Sequence, residues 1–438
     1  MKSEPRRYRV GVIGRTGHGD YGHGLDSAFV GVDRAAIVAV ADDDEPGRTR
    51  AAARLGAPRA YSDYREMLER EALDIVSIGP RWVDQREAML LAAIRHGVHV
   101  FTEKPFLRTL VEADRVLSAA AEKGVRISVA HQGCTFPIMR QIKQLIDDGA
   151  IGELRLLQSF GKGDRRGGGE DLMLHGPHAF DMMRYFAGEV AWVQAHVTEG
   201  GRDIGPESVR EGVEGIGPVA GDAVYAYLSY RSGVRGTYDS SVLRMGLTGS
   251  YFSLLLHGTD GIIAIRSMGD RYVYRYPRPV IVPGPNTGPP LPPGPSNDWE
   301  RIVPENPVPP DQSIHAFGNR VLVEDLLDAI EAGRDPRSSG GDARETLELV
   351  MAIYESQRRG ARVSLPLAAR EHPLTLWKGD RSIGVGWPPE GAGSAPTAGT
   401  REEAGTAVGD GTGAEELTPR GQAARRRSLA SRKRRSVS

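Results

Sequence analysis

The sequence predicts an α/β protein: a doubly wound parallel sheet of the Rossmann type at the N-terminus, followed by an α/β domain built on a large, mainly antiparallel open sheet. Three observations carry this. Residues 8–130 alternate short β-branched runs with longer helical patterns, and beyond about residue 153 strand-like runs succeed one another. The chain has 438 residues, enough for two or three domains at about 150 residues each.

The N-terminal strands are YRVGVI (8–13), AIVAVAD (36–42), DIVSIG (74–79), VHVFTE (98–103) and VRISVA (125–130). All are apolar on both faces, as strands between two helical layers must be. Between them PGRTRAAARLG, REMLEREA, DQREAMLLAAIRHG and LVEADRVLSAAAEKG read as amphipathic helices, the last two closed by glycine. The later strands are ELRLLQSF, VAWVQAHV, DAVYAYLSYRSG, VRGTYDSS, YFSLLLHGTDGIIAIRS and RYVYRYP. The last has period two, with Tyr272, Tyr274 and Tyr276 on one face. Residues 277–310 hold thirteen prolines and cannot pair inside a sheet, so a surface excursion is expected there. Helices follow over 314–332 and 343–359, the second capped by Asp342 with Glu345 three residues on. The expected divisions are 1–130, 131–387 and a disordered Arg-rich tail over 388–438.

Hydrophobic residues at 39% and charged residues at 26% exclude disorder for the whole chain. No apolar stretch approaches the roughly 18 residues that span a bilayer, and the start MKSEPRRYRVGVIG lacks a signal-peptide core. A cytoplasmic address with no membrane partner is expected. The single Cys134 excludes an intrachain disulfide and a thiolate metal cluster. From Arg420 onward there are eight Lys or Arg and no Asp or Glu. That terminus is expected to be a solubilising extension rather than a nucleic-acid contact.

Chemistry enters with VGVIGRTGHGDYGHG, directly after the first strand. A dinucleotide-binding turn needs glycine where the chain bends and where backbone must approach a pyrophosphate, with a helix N-terminus presenting its N–H groups. Gly14, Thr16 and Gly19 stand closest to the strand but replace the middle glycine; Gly17, Gly19 and Gly22 match G-x-G-x-x-G three residues later. The first register is preferred, with Arg15 and Gly17 also in the loop that would hold cofactor. Asp42, at the end of the second strand, is placed to accept from the adenosine ribose hydroxyls. Asp43 and Asp44 beside it would repel a 2′-phosphate, so NAD is expected rather than NADP. Glu103-Lys104-Pro105 lies at a strand's carboxyl end, where ligands bind in open parallel sheets.

Together with a later G-G-G…G-x-H-x-x-D segment, these features resemble the Gfo/Idh/MocA oxidoreductases, over roughly residues 8–368. The resemblance implies an NAD(P)-binding Rossmann domain and a second α/β domain whose open sheet often joins subunits into a homo-oligomer. It places Lys104 at the catalytic centre, with Glu103 and Pro80 lining the nicotinamide side. The family's D-x-G-x-H-x-x-D keeps Gly176, His178 and Asp181 here, but Leu174 stands where the first Asp belongs. In a helical segment Asp171, His175 and His178 would share one face at i, i+4 and i+7, so Asp171 could serve from one turn back. A polar cluster is preferred to a metal site. Gly79-Pro80-Arg81-Trp82-Val83-Asp84 departs from the family's T-P-N-x-x-H, and Ala130-His131-Gln132-Gly133-Cys134 from its N-R-R segment. His131 and His175 are candidate substrate contacts, and Cys134 is expected to be inert.

The expected activity is hydride transfer between nicotinamide and a secondary alcohol of a sugar, polyol or related small molecule. Lys104 would supply charge, His178 the base and Asp171 its tautomer control. The resemblance leaves two alternatives: glycoside cleavage or epimerisation through transient oxidation, and a non-catalytic nucleotide-sensing regulator.

Overall fold

The computed structural model describes residues 7–242, 253–266, 273–277 and 299–379. Most of the proline-rich excursion and the whole 388–438 tail lie outside the described residues.

The chain opens with β1 (Tyr8–Ile13) and β2 (Ala35–Ala41), then α1 (Glu45–Leu55), β3 (Arg59–Tyr61), α2 (Tyr64–Arg70) and β4 (Ile75–Ile78). Next come α3 (Arg86–Arg95), β5 (His99–Thr102), α4 (Leu110–Lys123) and β6 (Ile127–Val129). Among the described residues these strands form a parallel sheet in the order β3-β2-β1-β4-β5-β6. The order reverses between β1 and β4, so ligand is expected over the carboxyl ends of those two strands. β3 has no counterpart among the predicted strands: its three residues RAY lack an apolar run and are exposed or half-buried.

The first connection departs from the expected βαβ unit. Residues 14–34 form successive turns and no helix. The face left open is filled from afar. Leu25, Phe29 and Val32 of this connection pack with Val10, Ile75 and Phe101 of the sheet and with Leu322, Val323, Leu326 and Leu327 of a late helix. Burying such side chains contributes about 1.5–3 kcal/mol each.

After α5 (Pro137–Asp147) come β7 (Leu154–Phe160), α6 (Gly169–Leu174), α7 (Gly176–Ala187) and β8 (Val190–Glu199). The short β9 (Arg202–Asp203), β10 (Arg210–Glu211) and β11 (Pro218–Val219) follow. The main strands are then β12 (Ala223–Tyr230), β13 (Arg235–Ser241), β14 (Ser253–Gly258), β15 (Ile262–Ile265), β16 (Val273–Tyr276) and β17 (Glu300–Arg301). The late helix is α8 (Ile314–Ala332), and α9 (Gly340–Arg359), β18 (Val363–Ser364) and α10 (Pro373–Gly379) complete the described chain.

Among the described residues the second sheet runs β17-β16-β15-β14-β7-β13-β12-β8-β18, with β9 paired to β8. Every pair is antiparallel except β13 with β7. Within the run YFSLLLHGTDGIIAIRS, Ser253–Gly258 and Ile262–Ile265 form the β14–β15 hairpin turning at Thr259–Gly261, and Tyr251, Phe252 and Ser267 lie outside the described residues. α9 begins three residues before the predicted start. Ser339 is its N-cap and Asp342 closes a capping box, because Ser339 Oγ accepts from the Asp342 N–H while the Asp342 carboxylate accepts from Ser339. The Asp342 carboxyl thus serves inside the first turn rather than ahead of it. Its first residue, Gly340, fits against Leu117, Ile127 and Phe106, so α9 ties the first sheet to the second.

Candidate active site

The glycine loop after β1 meets the rim of the first sheet. A Cβ on Gly14 would lie 2.1 Å from the Tyr21 ring, so this glycine makes room for a side chain of its own loop. Gly17, Gly19 and Gly22 all have positive φ. A Cβ on Gly19 would stand 2.6 Å from the Arg81 backbone, and one on Gly22 2.4 Å from the Gly79 carbonyl oxygen. Gly19, common to both registers, and Gly22 therefore pack against the segment after β4, while Gly14 lines the cleft at the ends of β1 and β2.

Thr16, in the first register, ties the loop to β2. Its N–H and hydroxyl both donate to the Asp42 carboxylate, the hydroxyl at 2.8 Å, and the Asp44 N–H donates there at 3.1 Å. Asp42 is only 2% exposed. The expected ribose acceptor thus also holds the residue that stands in place of the middle glycine. Asp44 caps α1 by accepting from the Gly47 N–H, and both Asp42 and the exposed Asp43 line the cleft here. That cleft is lined by Gly14, Arg15, Asp43, Tyr64, Arg65 and Met89, among others. Arg15 crosses to Asp84 beyond β4, donating to both carboxylate oxygens at 2.8 and 2.9 Å. His18 meets the Trp82 ring edge-on with centroids 5.0 Å apart.

The Glu103-Lys104-Pro105 segment is fixed from below by Arg86. Its fully buried guanidinium donates to the carbonyls of Pro80, Glu103 and Pro105. Burial pulls the Arg86 pKa down to about 10, which leaves it charged at neutral pH. Glu103 is fully buried and accepts from the N–H groups of His23 and Lys104 at 2.8 Å each, with the His23 ring at 2.5 Å. Burial alone would raise its pKa; His23 and Lys104 outweigh burial and hold it at about 2. Lys104 is 8% exposed, and its Nζ donates to the Leu174 carbonyl at 3.2 Å. Burial lowers its pKa below the ordinary lysine value, Lys162 and Arg166 add to this, and Glu103 and Glu214 oppose it.

Three imidazoles gather near this ammonium. His131, beyond β6, is 1% exposed, and neither ring nitrogen has a hydrogen-bond partner among the described residues. Burial and then Lys104 drive its pKa down to about 3. Its ring lies 5.5 Å from that of His178, which burial, Lys104 and His131 hold well below the ordinary histidine value. The helix breaks at His175, whose φ and ψ of −123° and −25° separate α6 from α7. The expected single face therefore divides: Asp171 meets His175, with Oδ1 2.6 Å from Nδ1, and the His178 ring packs toward His131. Burial lowers the His175 pKa to about 4, against the raising effect of Asp171. The other Asp171 oxygen accepts from Ser240 Oγ at 2.6 Å and the Lys162 N–H at 2.9 Å.

The structure thus brings Lys104, Glu103, His131, His175, His178 and Asp171 to one place, with Pro80 tied to it through Arg86. Arg15, Thr16, Gly17 and Gly19 form the neighbouring loop, whereas Asp42 is folded into it. Sequence reasoning missed Arg86, His23 and Ser240. Arg86 carried one signal, a basic residue in the first turn of a helix, where the dipole favours acids. Cys134 donates to a raised-pKa Asp181, and burial pushes its own thiol pKa well up, as an inert cysteine requires. Among the described residues no group of three or more His, Cys, Asp or Glu has an arrangement that could hold a metal.

Residues 8–131 match the model of an oxidoreductase family with an NAD-binding Rossmann fold, and residues 143–365 match that family's C-terminal alpha/beta domain. The chain belongs to the Gfo/Idh/MocA oxidoreductase family. Among curated members, a D-apiose dehydrogenase of Paraburkholderia graminis is 26% identical over 79% of this chain and 87% of its own length. A myo-inositol 2-dehydrogenase of Thermotoga maritima is 27% identical over 53% of this chain and 68% of its own. A solved levoglucosan dehydrogenase in complex with NADH and L-sorbose shares the fold, with TM-score 0.64 and 21% identity over 82% of this chain and 99% of that one. As a member of the family the chain is an NAD-dependent oxidoreductase. Its own residues suit that cofactor: the cleft at the ends of β1 and β2 is lined by Gly14, Arg15, Asp42 and Asp43, which would supply close backbone approach, a cation and carboxylate acceptors. In the described residues, no helix is long and apolar enough to cross a membrane.

Proposed function

We propose that this Gfo/Idh/MocA member oxidises a secondary alcohol of a sugar or polyol, with Lys104 at the reacting centre. One observation carries the reading: a buried ammonium at the carboxyl end of β5, its Nζ 3.2 Å from the Leu174 carbonyl, with three buried imidazoles beside it. NAD, when bound, supplies the hydride acceptor. The chain must then stabilise negative charge on the substrate oxygen and remove a proton. Lys104 supplies the charge from a site dry enough to make it count. Leu174 replaces the family carboxylate, so its backbone carbonyl orients the ammonium without neutralising it.

The sugar or polyol class rests on the relatives named above, which are dehydrogenases of apiose, inositol and levoglucosan. We also infer a homo-oligomer formed through the second sheet, supported by Tyr225 and Tyr227 on β12, 43% and 38% exposed. Sedimentation at micromolar concentration tests it, and a monomer would refute it.

Lys104→Ala is the direct test. NAD binding by calorimetry should persist. NAD reduction in the presence of myo-inositol, D-apiose or levoglucosan should fall by about 10² or more, the scale of a lost acid–base or charge-stabilising group. Undiminished turnover would remove Lys104 from the centre.

A further inference from the structure

We propose that Glu214 is a substrate-binding residue of this site, its carboxylate accepting from the hydroxyl of a sugar or polyol that neighbours the one Lys104 meets. The inference deepens the dehydrogenase reading and rests on it.

Glu214 reaches the rim of the first sheet on a hairpin of the second domain. β10 and β11 pair antiparallel, and the Gly212 N–H donates to the Gly217 carbonyl at 2.9 Å to close the tip between them. In that tip Glu214 has φ 57° and ψ 22°, the left-handed region that residues with a Cβ rarely occupy. Glycines stand at 212, 215 and 217, yet this position carries glutamate. Such strain persists where the surroundings impose it, and it gathers at functional sites. Here the surroundings are the segment after β4. The Val83 N–H donates to the Glu214 carbonyl at 2.9 Å, and a Cβ on Gly215 would lie 3.0 Å from the Asp84 Cβ. Ile216, fully buried, anchors the other side of the tip.

The backbone of Glu214 is fixed, and its carboxylate is not engaged. Half-buried, the side chain makes no hydrogen bond or ion pair among the described residues. Glu103 and Asp171 are differently placed: Glu103 accepts from His23 and the Lys104 N–H, and Asp171 from Ser240 Oγ and the Lys162 N–H. Glu214 nonetheless acts on the ammonium. Burial lowers the Lys104 pKa, and Glu103 and then Glu214 are the carboxylates that oppose it. Arg166, held first by its hydrogen bonds to Asp164, also feels Glu214. An ammonium and a carboxylate that interact without touching suit a ligand that offers an acceptor to one and a donor to the other. Adjacent hydroxyls of a sugar or polyol do this: one oxygen accepts from Lys104 Nζ, and the next O–H donates to Glu214. The negative group that Leu174 does not provide thus comes from another segment, for binding rather than for proton transfer.

Two measurements test this. Calorimetric titration of myo-inositol, D-apiose and levoglucosan into the protein holding NADH reads binding without turnover. Kd should rise about 10- to 100-fold in both Glu214→Gln and Glu214→Gly, the scale of a lost hydrogen bond to a charged group. In NAD reduction KM should rise alike, while kcat falls by less than about tenfold. By scanning calorimetry Glu214→Gly, which fits left-handed backbone, should melt no lower than the unsubstituted protein. A Kd changed by less than about threefold in both variants overturns the proposal. So does a kcat loss of about 10² with KM unchanged, which would make Glu214 the proton acceptor. A Tm for Glu214→Gly lower by more than about 2 °C overturns it too, because the side chain would then serve the fold. Binding of a polyol that is never oxidised would end the dehydrogenase reading and leave the Glu214 subsite standing; binding of none of the three would end the subsite.

Discussion

Replacing Arg86 by methionine tests whether one buried cation holds both halves of the cofactor-side rim. The guanidinium is inaccessible and donates to three main-chain carbonyls, those of Pro80, Glu103 and Pro105. Hydrogen bonds to charged groups are worth about 1.5–3 kcal/mol each, and methionine offers none. Against this stands the cost of burying the guanidinium, whose Nε has no partner among the described residues. Removing one member of a buried charge system costs about 3–5 kcal/mol, and Glu103, fully buried nearby, is the charge left behind. At about 2–4 °C per kcal/mol for a large domain, Tm should fall by roughly 6–20 °C. Scanning calorimetry at pH 7.5 reads this directly, and NAD-dependent turnover of the surviving protein should drop as Lys104 loses its anchor. A Tm within about 2 °C of the unsubstituted protein would show that the three carbonyls do not depend on Arg86.

Histidines His131, His175 and His372 have native pKa values of about 3, 4 and 4, all lowered first by burial. Below about pH 6.5 the unfolded chain binds protons the native state does not, so stability falls on acidification at up to about 1.4 kcal/mol per pH unit for each group. Urea midpoints measured from pH 7.5 to 5 should decline, His372→Gln should flatten the decline, and a constant midpoint would refute the burial. Asp84→Ala releases Arg15 from a partly exposed pair worth about 0.2–1 kcal/mol. NAD should then bind up to about fivefold tighter by calorimetry, and weaker binding would mean that Asp84 positions Arg15 for the cofactor. Gly22→Ala forces a Cβ to 2.4 Å from the Gly79 oxygen at a φ of 66°. Left-handed backbone costs about 1–2 kcal/mol and overpacking about 1–3, so a urea midpoint unchanged from that of the unsubstituted protein would contradict the close packing of this loop.

The parallel sheet was legible because its strands are continuous apolar runs separated by capped helices, and each cue is local. β3 was not, since an exposed three-residue edge strand needs no hydrophobic pattern. The helix expected after β1 was a rule of the motif more than a reading of residues 14–34, whose glycines favour turns. What compensates for the missing helix is α8, nearly three hundred residues away, and no periodicity records which sheet a distant apolar stripe will cover.

The site divides in the same way. Strand-end positions placed Lys104, Glu103 and Asp42 on the rim, since parallel strands end there by construction. Side-chain pairing was legible only where both partners share a helix turn. Asp171 and His175 are four residues apart and meet. His178, seven residues along, was expected on the same face, and the break in the helix at His175 turns it toward His131 instead. Asp42 gains a partner for a related reason: a carboxylate at a strand end binds the nearest donor, and the Thr16 hydroxyl is built into the loop above it. The substitution of threonine for glycine at position 16 and of leucine for aspartate at 174 thus have parallel consequences. At each position the residue present meets the site through its own groups, Thr16 by donating to Asp42 and Leu174 by accepting from Lys104 Nζ through its carbonyl.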